Sequence, residues 1–153
     1  MKPILSLVFT SLLAFPLTAQ ETSSVETEPA PESIVIDGAD ADLKQFLWKN
    51  RPLVVFADSP DDPQFVRQMN LLMDDLEELS ERDVVIVTDT DPGANTSVRT
   101  ALRPRGFMLA LIVKDGTIYL RKPSPWSVRE ITRTIDKLPL REQEIEERRG
   151  LGN

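Results

Sequence analysis

The sequence predicts an α/β three-layer sandwich whose mixed central sheet ends in an antiparallel hairpin. Three observations carry this expectation. Leu53 to Ala57 and Val84 to Val87 are continuous apolar runs, the pattern of strands covered on both faces. Between them, Phe65, Met69, Leu72, Leu76 and Leu79 form one helical stripe, so the two strands are joined by a parallel, right-handed crossover. Further on, Phe107 to Val113 and Thr117 to Leu120 flank Lys114-Asp115-Gly116, and Asp-Gly between two such runs signals a hairpin.

The remaining elements follow in order. Ile34-Val35-Ile36 is a short β-branched run stopped by the turn pair Asp37-Gly38. Leu43, Phe46 and Leu47 recur at helical spacing, with Asp40 or Asp42 to cap them and Pro52 barring continuation. Asp62 is a good N-cap for the long stripe, with Pro63 at the first helical position. Val98, Ala101 and Leu102 suggest a short helix. Ser124-Pro125 opens the last major helix, striped by Val128, Ile131, Ile135 and Leu138, and Pro139 breaks it. The order reads β-α-β-α-β-α-β-β-α.

The ends of the chain read differently. Met1-Lys2, the apolar run Ile4 to Leu17 and the small Ala19 form the pattern of a secretory signal peptide over 1–19. The run is shorter than the roughly 20 residues that span a bilayer, so no stable membrane span is expected after cleavage. Residues 20–32 are acidic, rich in Ser, Thr and Pro, and read as a flexible linker. The folded domain is expected over 33–139. Residues 140–153 read as a charged helical tail with little to bury. The expected location is the periplasm or the extracellular medium.

Composition excludes much chemistry. There is no cysteine and no histidine, which removes thiolate nucleophiles, disulfides, Cys/His zinc sites and the commonest general base near neutral pH. The formal charge of −7 disfavours nucleic acid, which needs a cationic face. The charge is uneven: residues 21–98 are strongly acidic, whereas 99–153 carry an excess of Lys and Arg. An acidic and a basic face are therefore expected.

Four stretches sharpen the reading: Asn50 to Phe56 (Asn-Arg-Pro-Leu-Val-Val-Phe), Arg82-Asp83-Val84-Val85, Lys114-Asp115-Gly116 with Leu120-Arg121, and Ile135 to Glu144 (Ile-Asp-Lys-Leu-Pro-Leu-Arg-Glu-Gln-Glu). In this order they resemble the bacterial, exported branch of the P-DUDES family, also called domain of unknown function 4174. The resemblance covers roughly residues 40–146 and implies a fold like that of thioredoxins and peroxiredoxins. Leu138 and Leu140 stand where that family usually has Met. Thioredoxins carry their redox cysteines in the loop after the second strand and a cis-proline before the penultimate one. Here those stretches are Asp58 to Pro63, without cysteine, and Gly106-Phe107-Met108-Leu109, without proline.

Three constellations remain as candidate sites. Asp58, Asp61 and Asp62 follow one buried strand, and Asp89 and Asp91 follow the next. If the strands are parallel neighbours, these acids share one sheet edge and offer oxygen ligands for a divalent cation such as Ca²⁺. Turn and capping chemistry explains the same residues. Arg51, Arg99, Arg103, Arg105 and Arg121 are candidates for an anion or an acidic partner. Trp126 is either an exposed binding anchor or a staple at the helix entry. The leading expectation is a binding or interaction module whose partner is another envelope or secreted protein, with no resident cofactor. The alternative is a carboxylate- or cation-dependent enzyme built on the acidic loops.

Overall fold

The computed structural model describes residues 34–152. The signal-peptide and linker assignments, 1–19 and 20–32, lie outside the described residues.

Five strands form one sheet: β1 (Val35–Asp37), β2 (Arg51–Phe56), β3 (Val84–Asp89), β4 (Met108–Ile112) and β5 (Ile118–Lys122). Their spatial order is β1-β3-β2-β4-β5. β1, β3 and β2 run parallel, and β2, β4 and β5 pair antiparallel. The sheet is mixed and closes with the expected hairpin. Gly116 supplies the turn at φ 88°, a conformation that costs glycine least. Val113 N–H donates to Thr117 O at 2.9 Å across that turn.

Alternation along β2 divides the interior into two layers. Leu53 and Val55 face one side, with Ile86, Leu109 and Leu111 beside them. That side is covered by α1 (Pro63–Met73), α2 (Leu76–Ser80) and α4 (Val128–Asp136), through Leu72, Leu79, Ile131 and Ile135. Val54 and Phe56 face the other side with Val87 and Ala110. A 3-10 turn (Leu43–Phe46) and α3 (Ser97–Leu102) cover it through Phe46, Val98 and Leu102. Each such buried side chain stabilises the fold by about 1.5–3 kcal/mol relative to exposure. The expected three-layer sandwich is the observed one.

Three local expectations need correction. The stripe Phe65 to Leu79 is two helices, not one, interrupted at Asp74 and Asp75. Aspartate propagates a helix poorly, and two of them at a helix C-terminus oppose the macrodipole. The 43–47 segment is a 3-10 turn, capped by Asp42 through Lys44 N. The last major helix starts at Val128, not after Ser124-Pro125. Ser127 caps it in a reciprocal box with Glu130, whose carboxyl is held below its usual range by the hydrogen bond from Ser127 N–H.

The charged tail is α5 (Pro139–Leu151). Its first turns engage the sheet domain: Arg141 is buried, and Glu144 meets Arg51 and Lys114.

Candidate binding site

The parallel pairing of β2 with β3 brings the ends of both strands to one edge, with Phe56 opposite Asp89. β4 begins at the same edge, Phe56 pairing with Met108. The loop after β2 and the turn before β4 are neighbours there: a methyl group built on Gly106 would stand 4.0 Å from Asp58 Oδ2.

The five acids reach this edge but do not converge. Asp62 caps α1, accepting from Gln64 N–H at 2.8 Å. Asp91 caps the 3-10 turn Pro92–Ala94 through Gly93 N–H at 2.8 Å. Asp89 is buried and committed to Arg99, whose Nη2 lies 2.7 Å from Oδ1, while the Thr96 hydroxyl donates to Oδ2. Asp58 and Asp61 are exposed. Among the described residues, no group of three or more carboxylates is placed to hold a metal ion. Their local and pairing roles explain why acidic loops arose without a common focus.

The basic candidates divide. Arg51 does not belong with the others. It starts β2 at the opposite edge, is wholly buried, and donates to Arg82 O and Glu144 Oε1, both at 2.9 Å. No partner can reach it. Arg99 also donates to Ala57 O and lies over the Phe56 ring, locking the β2 and β3 ends together.

Arg103, Arg105 and Arg121 do converge. With Phe107, Met108, Lys122 and Pro123 they line a cleft of about 330 Å³. Arg103 ends α3 in the left-handed region at φ 50°, its N–H bonded to Arg99 O. Pro104 and Gly106 (φ 63°) then turn the chain into β4. The β4–β5 register places Arg121 opposite Ala110 and Lys122 opposite Leu109, so the end of β5 faces that turn. Arg121 Nη1 donates to Leu102 O at 2.8 Å. Among the described residues, none of the three guanidinium groups has a carboxylate partner.

Trp126 is a staple rather than an exposed anchor. It precedes α4 and is half-buried; its N–H donates to the buried Gln68 Oε1, and Gln68 Nε2 donates back to Trp126 O. Lys122 Nζ sits 4.2 Å from the ring centre. Lys122 completes the cleft and escaped the sequence reading. Its signal was its place beside Arg121 at the end of the hairpin.

The architecture is that of the thioredoxin fold, and the match is direct. Residues 42–144 match the family described as Domain of unknown function (DUF4174). The chain belongs to that family. Among solved structures, the DUF4174 domain is similar to the reduced 2-Cys peroxiredoxin of Plasmodium vivax, at 18% identity and TM-score 0.53, over 67% of this chain and 85% of that one. It is similar also to a chloroplastic thioredoxin z, at 19% identity and TM-score 0.51, over 67% of this chain and 90% of the other. At such identities the likeness shows the fold alone. No curated protein matches this chain in sequence. The chain contains no cysteine, so it has no thiol with which to perform redox chemistry on this fold.

Proposed function

We propose that this chain is a non-thiol binding module of the bacterial envelope or secreted compartment, which holds an acidic partner protein at the cleft of Arg103, Arg105 and Arg121. The observation that carries this reading is the contrast between the two sheet edges. At one edge, Arg51, Arg82, Lys114 and Arg141 are each matched by carboxylates. At the other, Arg99 is taken by Asp89, but the three guanidinium groups of the cleft have no carboxylate partner among the described residues. Unneutralised guanidinium groups suit carboxylate forks, and several acting together outweigh the weak effect of a single exposed pair. The pattern of residues 1–19 supports export.

The test is titration of a fluorescein-labelled hexaglutamate peptide at low ionic strength. Binding should weaken at least tenfold in Arg103→Glu/Arg105→Glu and should fall with added salt. Arg133→Glu, exposed on α4, should leave it unchanged. Equal binding by the cleft variant and the native chain would refute the reading.

A further inference from the structure

Leu102, whose carbonyl accepts from Arg121 Nη1, also lines a second hollow of about 250 Å³, mainly apolar although Lys44 borders it. Leu47, Ala101, Leu102, Ile112 and Ile118 line it. Both hollows therefore border the same two elements, the end of α3 and the strand β5.

Large apolar groups near the hairpin are left uncovered by the fold. Trp48 is 69% exposed, and Leu47, Ile118 and Tyr119 are exposed with it. Trp48 also holds φ 62°, a conformation that bulky side chains rarely adopt. Its N–H is fixed to Lys114 O at 2.7 Å, which ties the indole's backbone to the hairpin. An exposed aromatic in a disfavoured conformation contributes little to the core, and such patches mark recognition surfaces.

Among the described residues, β5 is the outer strand of the sheet and pairs with β4 alone. A free edge is a template for another strand. Arg121 and Lys122 on this edge oppose pairing with a second copy, which would set like charges against each other. The same two cations attract an acidic strand. The register shift makes the spacing definite: Ile118 pairs with Ile112 and Arg121 with Ala110, so they share one face about 7 Å apart, two residues of a regular strand.

We infer that the outer edge of β5 accepts an extended acidic segment of a partner protein, with an apolar residue at the Leu47–Trp48–Ile118 end and carboxylates at the Arg103–Arg121 end. This rests on the cleft reading and goes beyond it, because it names the form, polarity and side-chain spacing of the ligand. Backbone pairing would supply affinity, and the two hollows would select the side chains.

Two labelled peptides of equal length distinguish the ideas: hexaglutamate, and a peptide with Phe two residues from a Glu pair. The second should bind the purified chain at least tenfold more tightly. Trp48→Ala and Ile118→Thr, both at exposed positions, should each remove most of that gain while leaving hexaglutamate binding within twofold. Amides of Ile118–Lys122 should exchange more slowly with solvent in the complex. Equal affinity for the two peptides, or unchanged exchange along β5, overturns the strand inference and leaves the basic cleft standing. Failure of both peptides to bind overturns both readings. A stable dimer of the free chain that protects the β5 amides shows the edge to be taken by a second copy, and also overturns the inference.

Discussion

Arg51 Nη2 lies 2.9 Å from Glu144 Oε1, joining the first residue of β2 to a helix 93 positions later. The arginine side chain is wholly buried and the carboxylate is 14% exposed. Lys114 Nζ meets the same oxygen at 2.9 Å, and Arg141 Nη1 meets Oε2 at 3.3 Å. Among the described residues, Arg51 Nε has no hydrogen-bond partner. The buried charge therefore depends on its terminal nitrogens, and Glu144 is the carboxylate nearest to them.

Glu144 should make stability depend on pH. Burial alone would raise its pKa, but hydrogen bonds from Lys114 and Arg51, with their charges, outweigh burial and hold it at about 2. A depressed carboxyl stabilises the fold at pH above its unfolded value and loses that contribution as pH falls toward its folded one. The shift corresponds to roughly 3 kcal/mol near neutrality. Glu144→Gln should thus lower the melting temperature at pH 7 by roughly 10 °C. It should also flatten the native loss between pH 4.5 and 2. Circular dichroism melts of both chains across that range test this, and parallel curves would contradict it.

Gly38 should resist substitution. A Cβ there would stand 2.9 Å from Asp89 Cβ and 3.1 Å from Thr88 O. Gly38 N–H also donates to Thr88 O at 2.7 Å, so the backbone cannot retreat without losing that bond. Gly38→Ala should cost about 1–3 kcal/mol, measurable as a lower midpoint in urea. Gly150, with open space around its Cα, is the control. Its replacement by alanine should be neutral or slightly stabilising within α5.

Divalent cations should not stabilise the chain through the acidic loops. Asp62 and Asp91 cap local turns, Asp89 is held by Arg99, and the five acids share no focus. Millimolar Ca²⁺ or Mg²⁺ should leave the melting temperature within about 1 °C, since binding at a specific site would raise it by mass action. Asp89→Asn should destabilise the chain equally with and without the metal, because its effect comes from the lost partner of Arg99. A metal-dependent rise abolished by Asp58→Ala would restore the cation site.

Much of the fold was legible because its signals are local. The apolar runs at 53–57 and 84–87, the Asp115-Gly116 turn and the Asp62-Pro63 helix start each act through neighbouring residues. The break at Asp74-Asp75 was masked by an apolar spacing that continues across it, since periodicity does not register a helix that stops and resumes in phase. Of the basic candidates, Arg103, Arg105 and Arg121 meet at one cleft, whereas Arg51 is enclosed at the opposite edge. Nothing in the spacing of these residues distinguishes the two fates.

The amino-acid order alone determined the order of the strands, the closing hairpin and the exclusion of thiol chemistry, because each follows from residue type or from patterns within a few positions. Only the tertiary structure decided which charges are consumed internally and which are left facing solvent. That outcome depends on pairings such as Arg51 with Glu144 and Asp89 with Arg99. It also depends on the strand order that carries Arg121 to the turn before β4. Charge is written residue by residue, but its neutralisation is a property of contacts between distant parts of the chain.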